Sequence, residues 1–118
     1  MVAELKQHAA TIRKAMVQGT ELHAKAGGEL LAMNQMVRWI NTKEDHCAKI
    51  ITTVSEYCLC QRVKKEGVFA SDAEYVEALK SHHAVLSSAM KAKQTMDTAA
   101  CDALDKAIET MSKMYIKE

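Results

Sequence analysis

The feature that most constrains this chain is an apolar stripe with a seven-residue period in its first half. Apolar residues recur at alternating spacings of four and three from Leu5 to Cys58, and Gly19, His23 and Glu44 are the exceptions. Such a repeat places its members on one face of an α-helix and is typical of near-parallel packing in coiled coils and bundles. The stripe therefore predicts long helices that pack against other helices.

Composition supports the same fold class. The 118 residues include no proline and four glycines, and aromatic residues make up 4% of the chain, so the residues that form turns and strands are scarce. Hydrophobic residues make up 48% and charged residues 26%, which is ordinary for a folded protein. We therefore predict a single all-α domain over residues 1–118.

Two sites could interrupt the first helix, and the sequence leaves both open. Gly27-Gly28 costs a helix roughly 2 kcal/mol relative to two alanines, and Asn41-Thr42 offers a threonine N-cap. The stripe stays in register across both sites, which favours one bent helix or closely stacked segments. The main turn is predicted near residues 66–70, at Gly67.

A second long helix is predicted after that turn. Ser71-Asp72-Ala73-Glu74 matches a capping box, and no glycine or proline follows Gly67, so the helix could extend to about residue 116. Two architectures fit. A break at Gly27-Gly28 gives a three-helix bundle, whereas an unbroken first helix gives a long antiparallel hairpin that leaves apolar surface open and should dimerise.

Net charge and cysteine content limit the binding partners and the cellular compartment that we expect. The net charge of +1 supplies no overall field for nucleic acid, so no nucleic-acid partner is expected. No run approaches the roughly 20 apolar residues of a membrane span, and no signal-type segment is visible. The four cysteines lack the spacing of a secreted disulfide scaffold. A cytoplasmic protein with reduced thiols is the simplest interpretation.

Two groups of residues carry ligand or nucleophile chemistry. His46-Cys47 and Cys58-Leu59-Cys60 contain zinc-binding residue types, but helical positions i and i+2 point about 200° apart, so the two thiols cannot grip one ion. His82 lies on the apolar stripe of the last helix beside His83, without a phosphotransfer motif around it. A histidine at the edge of the core is favoured there.

Enzyme motifs are missing from the sequence. There is no glycine-rich phosphate loop, nucleophile elbow or paired-carboxylate signature, so we expect no catalytic residue, metal site or cofactor. The favoured function is a non-enzymatic interaction or scaffold module that self-associates through its stripes as a homodimer or binds a helical partner. The residues expected to carry this packing are Leu30, Met33, Val37, Trp39, Ile40, Ile51, Val54, Leu79, Leu86, Leu104 and Ile108.

An alternative function uses the basic cluster Arg62, Lys64 and Lys65 at the turn between the two halves. Together with Phe69 as a shallow anchor, this candidate contact surface could serve a peripheral membrane or cytoskeletal adaptor. The same cations also complement the dipole of a helix C-terminus, and this structural role is favoured. Contact with a membrane surface is therefore possible but not favoured. A metal-binding or phosphotransfer protein is the least favoured option.

Overall fold

A computed structural model describes residues 1–115 of the chain, apart from the side chain of Ala26. These residues form four α-helices and one π-helical segment, and no strand occurs among them. The elements are α1 (Val2–Ala26), α2 (Leu30–Thr52), the π segment (Thr53–Arg62), α3 (Asp72–Lys93) and α4 (Ala99–Ser112). The prediction of an all-α bundle is confirmed, with four packed helices. The molecule measures 58 × 24 × 21 Å.

Gly27 and Gly28 break the first half of the chain into two helices. Their φ angles are 46° and 92°, a left-handed region that favours glycine, and α1 ends at the residue before them. Helices α1 and α2 then pack side by side in opposite directions. The second suspected site does not break, because Thr42 lies inside α2 and its hydroxyl donates to the Arg38 carbonyl at 3.0 Å.

Helix α3 begins as the capping box predicts. The Ser71 hydroxyl accepts a hydrogen bond from the Glu74 amide at 3.2 Å. The Glu74 carboxylate reaches back to the amide of Ala70 at 2.9 Å, one residue before the expected partner. The non-helical connection before it contains Gly67, whose φ is 81°, so the predicted main turn near 66–70 is confirmed.

The expectation of one continuous helix to about residue 116 is wrong. Helix α3 ends at Lys93, and α4 begins at Ala99. In between, the Thr95 hydroxyl accepts from the Asp97 amide at 3.2 Å, and the Asp97 carboxylate accepts from the Ala99 amide at 2.9 Å. These short polar side chains compete with helical hydrogen bonds and fix a turn. Helix α4 therefore folds back on α3. The bundle has four α-helices in the described part of the chain, more than the two of the expected hairpin or the three of the expected three-helix bundle.

The core lies where all four helices overlap. Fully buried large side chains come from every helix and include Leu5, Ile12, Met16, Ile50, Val85 and Met111. Of the residues expected to carry packing, Val54, Leu104 and Ile108 are in this core, Ile51 and Leu86 pack against it, and Trp39 and Ile40 are half-buried. Leu30, Met33, Val37 and Leu79 are exposed, so they contribute nothing to the core of this chain.

The end of the α1–α2 hairpin projects beyond the other helices. The α3–α4 turn packs against α1 near Gly19, because a Cβ added to Gly19 would lie 2.9 Å from the end of the Met96 side chain in that turn. Helices α3 and α4 therefore contact the α1–α2 hairpin only up to about this residue. Leu30, at the start of α2, is 80% exposed. None of the described helices is apolar over a length sufficient for crossing a bilayer.

Candidate functional site

The π segment ends at the same end of the bundle as the chain's first residue. Its turns are wider than those of an α-helix because each amide bonds to the carbonyl five residues earlier, as the Val63 amide does to the Cys58 carbonyl at 2.8 Å. Such π turns occur frequently at functional sites. The buried Cys58 thiol lies 3.9 Å from the Met1 thioether sulfur. This geometry places Met1 beside the π segment.

A buried histidine on α3 meets a tyrosine just beyond α4. His82 has no exposed surface, its Nδ1 lies 2.6 Å from the Ala78 carbonyl, and its Nε2 lies 2.5 Å from the Tyr115 hydroxyl. A carbonyl oxygen can only accept, so Nδ1 carries the proton and donates it to Ala78. The other nitrogen, Nε2, is then an acceptor, and Tyr115 donates to it.

Burial holds this network in its neutral form. Desolvation lowers the pKa of His82 below its usual value and raises the pKa of both Tyr115 and Cys58. The nearby Cys58 side chain adds to the rise in the pKa of Tyr115. The Cys58 thiol itself donates to the Met1 sulfur. The hydrogen-bonded network therefore runs from Tyr115 through His82 to the Ala78 carbonyl.

A cationic groove lies beside Tyr115. The Arg62 guanidinium lies 5.6 Å from the centroid of the Tyr115 ring, and it donates to the Tyr57 hydroxyl at 2.8 Å. A groove of about 530 Å³ is lined by Gln61, Arg62, Lys64, Val68, Phe69, Met114 and Tyr115. Three of the four predicted contact residues, Arg62, Lys64 and Phe69, are thus brought together, whereas Lys65 is exposed outside this lining.

A pair of histidines joins α1 to α2. The Nδ1 atoms of His8 and His46 are 2.8 Å apart, so one ring donates to the other. Both are half-buried, and desolvation is the largest cause that lowers the pKa of each, followed for His46 by the charge of His8. The sequence analysis missed His8. Each of the two histidines precedes a stripe residue, Ala9 or Cys47, and that shared offset could have indicated the pairing once α1 and α2 were placed antiparallel.

The cysteines are dispersed. Cys47, Cys58 and Cys101 are buried, and Cys60 is exposed. Burial raises the pKa of Cys47 to about 11 and also raises that of Cys101, whose sulfur lies 3.3 Å from the Met16 sulfur. The suspected zinc-binding group does not converge, because His46 faces His8, Cys47 is in the core and Cys58 faces Met1 and Tyr115.

A family model described as nickel-containing superoxide dismutase matches residues 2–118. The chain belongs to the nickel-containing superoxide dismutase family. No curated protein and no solved structure gives a match to this chain.

Membership in this family corrects the expected function. The family is one of enzymes, so the expectation of a non-enzymatic interaction or scaffold module is wrong, as are the adaptor alternative and the prediction that the chain is not an enzyme. This sequence contains no local signature of the enzyme classes considered, whereas the match extends over nearly its whole length.

The donor groups in residues 1–115 do not fit a nickel ion. No group of three or more histidine, cysteine, aspartate or glutamate side chains within that range could hold a metal. Imidazole and thiolate nitrogen and sulfur atoms are suitable ligands for such an ion, but thiols must lose their protons first. The three buried thiols have raised pKa values, and His8 and His46 supply two imidazoles without a third ligand.

Proposed function

We propose that this chain is a superoxide dismutase subunit, which takes part in converting two superoxide anions and two protons into dioxygen and hydrogen peroxide. The family match over residues 2–118 carries this proposal. The groove beside Tyr115 supports it, because Arg62 and Lys64 provide positive charge that attracts a small anion. The donors in residues 1–115 do not form a nickel site, so the family match and not a metal centre carries the proposal.

The proposal is tested by measuring superoxide decay directly in the presence of the purified full chain. The protein is prepared with and without Ni²⁺, freed of unbound metal, and analysed for bound nickel by mass spectrometry. We expect superoxide to decay faster with the nickel-treated protein than with the untreated protein or with the same concentration of free Ni²⁺. Stoichiometric nickel without faster decay, or no retained nickel and no activity, would contradict the proposal.

Ligand variants then locate any retained nickel. Cys60 is the exposed thiol and the His8–His46 pair is half-buried, so these are the donors that a metal reaches with the least disruption of the core. Cys60→Ser and the double variant His8→Ala/His46→Ala are compared with His83→Ala, an exposed histidine outside both groups. Loss of nickel in one of the first two variants, with retention in the control, assigns the ligands.

We also propose that the chain forms a homodimer through the projecting end of the α1–α2 hairpin. A homo-oligomer is compatible with membership in this family. Support for the site comes from exposed apolar side chains at this end, where Leu30 is 80%, Leu31 62% and Val37 49% exposed. Burial of such a patch between two copies would stabilise the dimer by the hydrophobic effect.

Sedimentation at micromolar concentration tests this contact. Leu30→Glu/Val37→Glu should shift the protein from dimer to monomer, because two carboxylates would be buried at the contact. Leu79→Glu, at an exposed leucine on α3, is the matched control and should leave the mass unchanged. A monomeric parent protein, or a dimer lost only in the control, would refute the proposed surface.

We propose a cytoplasmic location for the protein. All four cysteines are free thiols, and reduced thiols persist in a reducing compartment. Fractionation of cells that produce the protein, followed by detection with an antibody, tests this location. Recovery outside the cytoplasmic fraction would refute it.

A further inference from the structure

The Tyr115–His82 pair is built for the movement of a proton together with an electron. We propose that Tyr115 is a redox-active residue that gives up one electron to an anionic oxidising radical in the adjoining groove while its hydroxyl proton passes to Nε2 of His82. This activity goes beyond superoxide dismutation and needs no nickel. It can therefore be tested on the metal-free chain.

The direction of proton transfer follows from the hydrogen bonds. His82 is fully buried and donates through Nδ1 to the Ala78 carbonyl, so its free acceptor faces the Tyr115 hydroxyl at 2.5 Å. A phenol that loses an electron becomes a very strong acid, and a neutral imidazole at this distance is a ready base. The Ala78 carbonyl then stabilises the imidazolium through the hydrogen bond that is already formed.

The surroundings favour coupled transfer over loss of the electron alone. The Arg62 guanidinium lies 5.6 Å from the Tyr115 ring, and its charge opposes a positively charged phenol radical. Within residues 1–115, the groups that face the pair are Ser81 and Ala78 around the imidazole, and Cys58, Tyr57 and Arg62 around the phenol. None of these five is a carboxylate that could compete with His82 for the proton.

The groove gives the oxidant its access. Tyr115 is half-buried and forms part of the lining, which also carries the cations Arg62 and Lys64. These charges select for an anion, such as the carbonate radical anion. The step balances: the radical anion gains one electron and becomes carbonate, the Oη–H bond of Tyr115 breaks, and an Nε2–H bond forms on His82.

The test generates carbonate radicals by flash photolysis with the metal-free full chain. We expect a phenoxyl absorption that persists in Tyr57→Phe/Tyr75→Phe, a variant that keeps Tyr115 as the sole tyrosine of the chain. The signal should be lost in Tyr115→Phe. Formation of the radical on Tyr57 or Tyr75 in the parent protein, with none on Tyr115, would overturn the proposal.

Substitution of His82 shows whether oxidation of Tyr115 depends on proton transfer to the imidazole or only on exposure of the Tyr115 ring. His82→Gln keeps an acceptor beside the hydroxyl, but an amide does not take up the proton at neutral pH. Oxidation of Tyr115 should slow by about 100-fold, the lower end of what a positioned base contributes to proton transfer. His83→Gln, at the neighbouring exposed histidine, should leave the rate unchanged. An unchanged rate in folded His82→Gln would refute the role of His82.

A measurement on the unaltered base covers the case in which His82→Gln does not fold. The oxidation rate of Tyr57→Phe/Tyr75→Phe is compared in light and heavy water. Because the Oη–H bond breaks as the electron leaves, the rate should fall in heavy water. Equal rates in the two solvents would overturn the proposed coupling.

Discussion

Lys43 offers the sharpest test of how the second helix pair is held against the first. Its side chain is 4% exposed, and its ammonium donates to the carbonyl of Lys93 at 2.7 Å and to that of Thr95 at 2.8 Å. The first of these carbonyls ends α3, where the helix dipole also favours a cation. We therefore expect Lys43→Met, which keeps most of the side-chain length, to destabilise the fold.

The magnitude follows from what is lost and what is regained. Hydrogen bonds to a charged group contribute about 1.5–3 kcal/mol each, and a buried carbonyl left unpaired costs about 1–3 kcal/mol. Part of this is offset because methionine avoids the desolvation of an ammonium. We expect the free energy of unfolding to fall by about 2–4 kcal/mol, and the midpoint of thermal unfolding by about 8–16 °C for a domain of this size.

Urea unfolding followed by circular dichroism, at one fixed protein concentration, measures this effect. Lys106→Met removes the same charge from an exposed position on α4 and should change the stability by less than about 0.5 kcal/mol. Amide exchange at residues 94–98 should accelerate in Lys43→Met more than exchange in the core of α1. A stability of Lys43→Met equal to that of Lys106→Met would refute the role assigned to the two hydrogen bonds.

Three further perturbations test other parts of the fold. Burial lowers the pKa of His8, His46 and His82 in the folded state, so the unfolded chain, whose histidines have a pKa of 6.5, binds more protons than the folded chain as the pH falls through this value. The free energy of unfolding should therefore be highest above this pH and decline below it. Urea unfolding at several pH values should show a shallower decline in His82→Gln than in His83→Gln. Arg13→Gln removes the guanidinium that bonds to both Asp102 and Asp105 at 2.8 Å, and we expect a loss of about 0.5–1 kcal/mol that shrinks in high salt; an equal loss in high and low salt would argue against an ionic origin. Ser71→Ala should cost about 1 kcal/mol through loss of the α3 cap, whereas Ser87→Ala, at an exposed position within α3, should be neutral or stabilising in the same thermal scan.

Local signals predicted most of the fold. The capping box at Ser71 depends on one short hydrogen-bond pattern, and the structure contains it. The stripe from Leu5 to Cys58 depends on side-chain periodicity, and it is buried at both ends but exposed at Leu30, Met33 and Val37. The α3–α4 turn was missed because it contains neither glycine nor proline. It is held instead by side-chain bonds of Thr95 and Asp97 and by the distant Lys43, so its stability depends on tertiary contacts.

The candidate site was harder to predict because its members are far apart in sequence. Cys58, His82 and Tyr115 come from the π segment, α3 and the turn after α4, and only the four-helix arrangement brings them together. The histidine was correctly placed on the stripe, but a stripe position cannot distinguish packing from a hydrogen-bonded pair. Arg62 and Lys64 were assigned to a helix end, and the structure adds the groove and Tyr115 beside them.

Nickel binding and burial impose opposite demands on Cys58. A metal ligand must be a thiolate, whereas burial raises the pKa of this thiol, and its proton is donated to the Met1 sulfur. Capture of Cys58 by a metal would release a proton and change the charge beside Tyr115, whose pKa responds to the charge of Cys58. The two states of the thiol should therefore give different rates of Tyr115 oxidation. If nickel-treated and metal-free protein oxidise Tyr115 at the same rate, nickel does not bind at Cys58.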